Sequence, residues 1–354
     1  MKKIKLLVVA AAATLLIIVS VNGCVSAPVF EGPSTAHFDG QVFKNTIPSE
    51  KGIWDILQLG FYSLYERKSW PTWIEAPQYQ VPNERVRGDA ISVTFINHST
   101  LLVQVDGVNI LTDPVFSERV SPFSFAGPKR VRLPGVALED LPTIDVILIS
   151  HNHYDHLDVE SLQRIVARQP FAEAPLILAG LGNSGLFTLQ QLPKFKDMEW
   201  DQSVTLGNLQ IIFTEARHRS GRGLSDQMKT LWGSFLVRSP QGDIYFAGDT
   251  GFGPHFEELR SRYGDVELAL LPIGAYEPRW FMEAVHLTPK QAVQAHKMIA
   301  SQQSIGIHFG TFQLTYEGID EPLKGLVQAL DEAGIPEDKF IAMGFGKTRE
   351  FSFR

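Results

Sequence analysis

The chain has 354 residues, of which 44% are hydrophobic and 20% charged, and its formal net charge is −7. This composition indicates a packed globular protein. The acidic balance argues against binding to the phosphate backbone of nucleic acids, which needs basic surfaces, and so disfavours a nuclease. No nucleic-acid partner is therefore expected, and the sequence indicates no oligomeric state.

The first 23 residues have the pattern of a secretory signal. Three lysines precede an apolar run over residues 6–19, as in signal peptides. Gly23 stands before Cys24, the only cysteine of the chain, as at a lipoprotein cleavage site. We expect a cleaved signal over residues 1–23, lipid on Cys24, and an exported protein anchored to a membrane, on the periplasmic side or at the cell surface. An uncleaved apolar helix that spans the bilayer is the alternative.

Two segments follow the signal. Residues 24–50 are rich in Ser, Pro, Gly and Thr and are interpreted as a linker, so that the folded domain spans residues 51–354. The stretch over residues 53–73 predicts either a helix that packs its aromatic face on the core or a surface that meets acyl chains at a membrane interface. Its aromatic residues are Trp54, Phe61, Tyr62, Tyr65, Trp70 and Trp73.

The first predicted strands form a hairpin over residues 91–112. Apolar residues alternate on both sides of Asp106-Gly107, which is a strong two-residue turn signal. His98 interrupts the first half of the hairpin, and Asp113 follows the second half. His98 is either a buried structural histidine or an outer hydrogen-bond partner of a metal ligand, and Asp113 is either a loop cap or such a partner.

The most informative stretch follows a short apolar run. Residues 146–149 predict a buried strand, and His151, His153, Asp155 and His156 come within six positions after Ser150. His151 and His153 are two residues apart, so in an extended segment both imidazoles point to the same side. Imidazole nitrogen and carboxylate oxygen suit zinc and similar divalent ions. A helix is predicted to follow over residues 158–168.

The same pattern recurs at three later strand ends. His218 follows a predicted strand over residues 209–214, and Asp249 and His308 each follow another apolar, β-branched run. Because strand ends converge at one edge in α/β folds, we expect these side chains to meet. One ion is assigned to His151, His153 and His218, a second to Asp155, His156 and His308, and Asp249 bridges them.

Two such ions, about 3.5–4 Å apart, can hold a bridging hydroxide and clamp a phosphoryl oxygen. Asp155 is expected to orient that hydroxide as well. His286 is the second catalytic candidate, because it could protonate a leaving alkoxide or bind the phosphate; a structural role is the alternative.

Two segments are expected at the rim of the pocket. Arg222 lies in a glycine-rich stretch after His218, and residues 274–282 form a loop with two aromatic residues and a proline. The candidate substrate-binding residues are Tyr154, Arg222, Tyr276, Arg279 and Trp280.

The run His-Asn-His-Tyr-Asp-His at residues 151–156 matches the HxHxDH signature of the metallo-β-lactamase-fold hydrolases. Over roughly residues 90–345 the chain resembles one branch, the N-acylphosphatidylethanolamine-hydrolysing phospholipase D enzymes. The blocks that carry this resemblance are LTDPVF at 111–116, GPKR at 127–130, FAGDTG at 246–251, GAYEPRWFM at 274–282 and IHFGTF at 307–312.

The resemblance implies an α/β fold, the αββα four-layer sandwich, with two Zn²⁺ per chain in its groove on the same seven residues. It also implies that a membrane phospholipid, N-acylphosphatidylethanolamine, is hydrolysed to N-acylethanolamine and phosphatidate.

Other functions are compatible with parts of the pattern. A lactonase or phosphodiesterase acting on a small soluble substrate would use the same dinuclear site, since fold does not fix function. A non-enzymatic metal-binding envelope lipoprotein is disfavoured, because structural zinc sites are closed and usually rich in cysteine. A di-iron oxygen-reducing enzyme of the same superfamily is disfavoured, because that branch normally has Glu where His153 stands.

Overall fold

The computed structural model describes residues 26–48, 53–75 and 79–353. The predicted signal over residues 1–23 and Cys24 lie outside the described residues. Within the described part, every helix is too short or too polar to cross a bilayer.

The described residues contain fourteen strands in two seven-stranded sheets. In the first sheet three antiparallel strands are followed by three parallel ones, and the last strand of the chain pairs antiparallel with β1. This sheet consists of β1 (Ile91–Asn97), β2 (Thr100–Val105), β3 (Val108–Thr112), β4 (Val146–Ile149), β5 (Leu176–Gly180), β6 (Phe195–Met198) and β14 (Thr348–Phe351).

The second sheet is antiparallel in its first half and parallel in its second half. It consists of β7 (Ser203–Leu206), β8 (Leu209–Thr214), β9 (Ser234–Arg238), β10 (Ile244–Phe246), β11 (Leu268–Pro272), β12 (Gln303–Ile307) and β13 (Phe340–Ile341). The helices are α1 (Ile53–Glu66), α2 (Val159–Ala167), α3 (Ser184–Leu189), α4 (His255–Tyr263), α5 (Arg279–Met282), α6 (Pro289–Met298) and α7 (Glu321–Ala333).

The side chains of β4 show how the layers are stacked. All four of its residues are apolar and buried, as expected for a strand that is covered on both faces. Val146 and Leu148 join the main hydrophobic cluster, which contains residues of both sheets. Ile147 and Ile149 join a second cluster together with residues of α2 and α3. Because alternate residues of a strand point to opposite faces, one face of this sheet meets the other sheet and the opposite face meets helices. The predicted αββα sandwich is confirmed.

The predicted local elements agree with these bounds. The hairpin predicted over residues 91–112 is a three-stranded antiparallel arrangement of β1, β2 and β3, because the chain makes an additional turn at His98, which has a φ of 48°. The predicted strand over residues 146–149 is β4, and the helix predicted after the histidine motif is α2.

Residues 26–48, within the predicted linker, lie against the folded body. Phe38 and Phe43 form an isolated β-bridge and are fully buried in the main hydrophobic cluster. Their ring centroids are 4.6 Å apart, so this stretch contributes aromatic side chains to the core.

The aromatic segment near the N-terminus is helical, as predicted, because residues 53–66 form α1. Its aromatic side chains nevertheless point mainly to solvent. Trp54, Phe61 and Tyr65 are all exposed, and Leu64 is exposed beside them. The interpretation that this helix packs its aromatic face on the core is therefore wrong for these residues.

Candidate metal centre and active site

The seven predicted ligands meet at the ends of strands from both sheets. The four ligands of the histidine motif follow the end of β4, and β8, β10 and β12 each end shortly before one further ligand. The site therefore lies between the two sheets rather than along a single sheet edge. The ligands that the second sheet contributes are His218, Asp249 and His308.

The first group of ligands consists of His151, His153 and His218. His153 Nδ1 lies 2.8 Å from His151 Nε2 and 3.4 Å from His218 Nε2. One ligand atom from each residue lies within 4.8 Å of the other two. Zinc–nitrogen bonds are about 2.0–2.1 Å long, so three nitrogens this close together can surround one ion.

The second group is built around Asp155. Its Oδ2 lies 3.4 Å from His156 Nε2 and 3.4 Å from His308 Nε2. Asp249 Oδ2 lies 3.1 Å from His156 Nε2 and 3.2 Å from His308 Nε2. It is also 3.8 Å from His218 Nε2 of the first group. Asp249 thus faces both groups, which is the position that a bridging carboxylate needs.

Hydrogen bonds from outside the site orient three of the imidazoles. His156 Nδ1 lies 2.6 Å from Asp113 Oδ2, and His218 Nδ1 lies 2.9 Å from the carbonyl oxygen of Val285. His151 Nδ1 lies 3.0 Å from Ser150 Oγ. A hydrogen bond at Nδ1 fixes the ring and leaves Nε2 to coordinate a metal. Of its two predicted roles, Asp113 has that of an outer partner.

Several buried polar atoms at the centre of the site have no hydrogen-bond partner among the described residues. They are His156 Nε2, His308 Nε2 and Asp249 Oδ1. A buried polar atom without a partner costs about 1–3 kcal/mol, and a divalent cation would satisfy all three. The imidazole and carboxylate donors, without cysteine, suit a catalytic zinc centre. The residues therefore fit a metal site.

The protonation states of three ligands also favour metal binding. Burial and neighbouring imidazoles lower the pKa values of His151 and His153 well below the usual range, so both rings are neutral. Burial would raise the pKa of Asp249, but His156 and His308 outweigh it and leave the pKa well below its usual range. Neutral imidazoles and ionised carboxylates are the forms that coordinate metals.

The carboxylates of the site act on two other ligands in the opposite direction. Asp249, Asp155 and Asp113 outweigh the effect of burial and raise the pKa of His156 well above its usual range. Asp249 and Asp155 likewise raise the pKa of His308 to about 9. The site thus attracts positive charge, and metal binding would displace a proton from His308.

A family model described as a beta-lactamase superfamily domain matches residues 108–309. The N-acyl-phosphatidylethanolamine-hydrolyzing phospholipase D 1 of Caenorhabditis elegans is 39% identical over 275 residues, which are 74% of this chain and 76% of that protein. The chain belongs to the metallo-β-lactamase superfamily. The phospholipase D resemblance seen in the sequence agrees with this relative.

Two further comparisons agree with this assignment. The mitochondrial N-acyl-phosphatidylethanolamine-hydrolyzing phospholipase D of Saccharomyces cerevisiae is 34% identical over 265 residues, which are 73% of this chain and 55% of that protein. The structure of Igni18, a metallo hydrolase of the archaeon Ignicoccus hospitalis, has a TM-score of 0.56 at 22% identity. It covers 75% of this chain and 100% of that one, and this likeness shows the fold. The chain is a metal-dependent hydrolase.

Two further histidines, outside the seven ligands, lie at this metallo-β-lactamase centre. His98 Nε2 lies 3.1 Å from Asp155 Oδ2, so this ring is an outer partner of a ligand. His286 is buried, and its Nδ1 lies 3.8 Å from Asp249 Oδ2. Burial lowers the pKa of His286 well below its usual value, so the ring is neutral. His286 is the only one of these residues without a strand-end signal, and only its position after the loop over residues 274–282 indicated it.

The candidate substrate residues Tyr154 and Arg222 lie against each other beside the histidine motif. The guanidinium carbon of Arg222 is 3.8 Å from the centroid of the Tyr154 ring. Arg222 Nη1 also donates to the carbonyl oxygens of Asn152 and Leu157, at 3.0 and 2.7 Å. Arg222 therefore holds the segment that carries the first four ligands, a role that sequence did not indicate.

The other three candidates belong to the loop before His286. Arg279 Nη1 donates to the carbonyl oxygen of His286 at 2.8 Å, which ties the two ends of the loop together. Trp280 is partly exposed at 41%, and Tyr276 is half-buried. A substrate-binding role for these residues stays a prediction.

Proposed function

We propose that this hydrolase cleaves N-acylphosphatidylethanolamine to N-acylethanolamine and phosphatidate, with two zinc ions bound by the seven ligands. The observation that carries the proposal is the combination of a complete ligand set with the named relative. The C. elegans protein, named for this reaction, is 39% identical over 275 residues. The yeast protein with the same activity in its name supports the same substrate class.

The position of Asp249 supports the proposal of two ions. Asp249 Oδ2 lies within 3.8 Å of nitrogens from both ligand groups. When bound, two ions at this spacing would activate a water molecule and neutralise charge on the phosphodiester. The protein residues then have to orient the water, receive or supply a proton, and hold the leaving group.

Asp155 is placed to orient the attacking water. Its carboxylate is ionised, because the charge of His156 and the close imidazoles of His156, His308 and His98 outweigh the effect of burial and hold its pKa well below the usual range. His98 and His308 are among those partners, so the oxygen is held in a fixed place. A fixed, ionised carboxylate can accept a hydrogen bond from the water that attacks phosphorus.

His286 is placed to act on the leaving group. Its Nδ1 has no hydrogen-bond partner among the described residues, although the ring is buried beside Asp249. In the reaction the bond between phosphorus and the ethanolamine oxygen breaks, a hydroxyl group is added to phosphorus, and the leaving oxygen takes a proton. The neutral ring of His286 can donate a hydrogen bond to that oxygen, whose proton comes from the attacking water.

We also propose that the protein is exported and anchored by lipid on Cys24, which would bring the groove close to its membrane substrate. Replacement of Cys24 by alanine is expected to abolish the incorporation of labelled fatty acid. Fatty acid that is still incorporated into the Cys24→Ala protein would contradict this.

The substrate is tested by incubating purified protein with N-acylated and with plain phosphatidylethanolamine, and by identifying the products. Phosphatidate and N-acylethanolamine are expected from the first lipid only, and the Asp249→Asn variant should give neither. Opening of a lactone, or cleavage of a small soluble phosphodiester, by a protein that leaves N-acylated lipid intact would favour the alternative function on the same site.

A further inference from the structure

Large apolar side chains are exposed along one face of α1. Trp54, Phe61 and Tyr65 are spaced by seven and four residues, so they lie on the same side of the helix, and their exposed fractions are 78%, 61% and 76%. Leu64 is exposed beside them. We call these four residues together with Trp280 the aromatic face. Monomeric proteins rarely leave so large a group of apolar side chains in water without a binding role.

The aromatic face lies at the end of the molecule that carries the metal centre. Trp280 belongs to α5, in the loop that leads from β11 to His286. Its ring centroid is 6.5 Å from that of Tyr62 of α1. The hydroxyl of Tyr316 donates to the carbonyl oxygen of Leu59 in α1. Tyr316 itself lies in the loop that follows β12 and His308. The two loops that contact α1 thus follow β11 and β12, which are parallel to β10 and end at the same edge of the sheet as Asp249 and His308.

The described chain also begins at this end. Ala27 N donates to Asp226 Oδ2 at 2.7 Å, and Asp226 accepts further hydrogen bonds from the backbone of Arg222 and Gly223. These residues follow the ligand His218, and Arg222 is bonded to the segment that carries the histidine motif. The predicted lipid-bearing residue, Cys24, is two positions before Ser26. A lipid anchor there would emerge beside the groove.

The composition of α1 identifies the kind of partner. The helix contains Asp55 and Glu66 and no basic residue. Arg67 and Lys68 follow it, but Arg67 donates to the carbonyl oxygen of Gln313 and Lys68 pairs with Glu321. Attraction to anionic groups is therefore not the main drive for binding of the helix. Tryptophan and tyrosine together with phenylalanine and leucine are the side chains that favour the boundary between lipid headgroups and acyl chains.

We propose that the aromatic face inserts into the lipid bilayer and turns the opening of the metal groove towards the membrane. This inference rests on the proposed phospholipid substrate, because a groove at the bilayer surface can receive a lipid that stays in the membrane. Insertion would be driven by apolar side chains and would be nearly independent of salt.

Site-directed spin labelling of the full chain tests this placement without relying on catalysis. Single cysteines replace Tyr65 or Phe171 in a Cys24→Ser, Asp249→Asn background, and the proteins are added to phosphatidylcholine vesicles that contain N-acylphosphatidylethanolamine. Phe171 is the matched control, because it is 82% exposed but precedes β5, at the opposite end of the parallel strands from the site. The label at position 65 should become accessible to oxygen and protected from a water-soluble relaxant, while the label at 171 stays in water.

Equal access of the water-soluble relaxant to both labels in the presence of vesicles would overturn the proposal. Strong dipolar coupling between labels at position 65 without vesicles would also overturn it, because the face would then be covered by a second copy of the chain. If position 65 is embedded but the active parent protein does not cleave the lipid, the surface stands and the proposed substrate fails.

A second experiment measures the activity of the enzyme with Asp249 intact. The triple variant Trp54→Ser/Phe61→Ser/Tyr65→Ser should hydrolyse lipid in vesicles about tenfold more slowly, because the apolar contribution to membrane binding is removed. The same lipid dispersed in detergent should be hydrolysed at the parent rate, and Phe171→Ser should behave like the parent on both. An equal loss on vesicles and on detergent-dispersed lipid would show that the helix supports the fold instead.

Discussion

At the scale of single residues, the fully buried Asp113 determines the orientation of a metal ligand. Its Oδ2 receives His156 Nδ1 at 2.6 Å and the Ser150 hydroxyl at 2.6 Å. We expect Asp113→Asn to weaken zinc binding at the Asp155–His156–His308 position by about 10- to 100-fold, because outer partners of ligands commonly have effects of this size. Competition with a metal chelator measures the change.

The control for this substitution is Asp265→Asn, which removes an exposed carboxylate that pairs with Arg260 at the surface. Circular dichroism should show that both variants are folded. An Asp113→Asn protein that holds zinc as tightly as the parent would show that the contact with His156 has no influence on the metal.

A substitution at His286 can separate the binding of zinc from the catalytic step. Because it is assigned to the leaving group and not to an ion, His286→Gln should lower kcat by about 100-fold or more while the zinc content stays the same. Metal analysis and steady-state kinetics on the same preparation test this. Loss of zinc from the variant would instead make His286 a ligand, a role that its distance of 3.8 Å from Asp249 Oδ2 also permits.

Sequence could indicate these site residues only where they carry a local signal. His151 to His156, His218, Asp249 and His308 all follow apolar strands, and that position marks them. The partner of His218 is the carbonyl oxygen of Val285, and any residue type provides such an oxygen. Asp113 is separated from His156 by 43 positions, so its contact depends on the pairing of β3 with β4, which the spacing of the motif does not reveal.

At the scale of secondary-structure elements, Gly248 permits the close contact between the loops that follow β10 and β4. Its φ is 57°, and an added Cβ would lie 2.4 Å from Ser150 Cβ. We expect Gly248→Ala to destabilise the fold by several kcal/mol, on the order of 3, because Ser150 precedes the histidine motif and is itself buried and hydrogen-bonded.

Gly207→Ala is the matched control. Gly207 has a φ of 61°, but nothing lies within 4 Å of its added Cβ, so only the backbone penalty of about 1 kcal/mol remains. Denaturant unfolding compares the two variants. Equal losses of stability would mean that the close contact with Ser150 adds nothing to the backbone penalty at Gly248.

Elements were predictable where their pattern is local and not where it depends on distant partners. The alternation around Asp106-Gly107 indicated β2 and β3, and the apolar run over residues 146–149 indicated β4. β14 pairs with β1 over more than 250 positions, and its sequence has no strong apolar alternation. The exposure of α1 also could not be predicted, because an aromatic stripe is the same whether it meets a core or a membrane.

At the scale of the whole molecule, a histidine remote from the metal centre gives the stability a defined dependence on pH. Burial, followed by the charge of Lys339, lowers the pKa of His296 to about 4. Unfolded histidine is protonated below about pH 6.5. The contribution of the neutral ring is therefore complete above pH 6.5 and is lost as the pH falls towards 4.

His296→Gln should remove this dependence. Between pH 7 and pH 4.5 the difference in unfolding free energy between parent and variant should shrink by on the order of 2 kcal/mol. Urea unfolding at several pH values, on metal-free samples of both proteins, provides the measurement. Parallel curves for the two proteins would show that His296 takes up its proton equally in the folded and unfolded states.

The assignment of seven side chains to two ions is tested most directly by the metal content of the purified protein, measured by mass spectrometry beside two single-ligand variants. We expect two zinc ions per chain in the parent. His218→Ala should retain the ion held by Asp155, His156 and His308, while His308→Ala should retain the ion held by His151, His153 and His218. A parent protein that binds a single ion, with both variants empty, would contradict the two-ion centre.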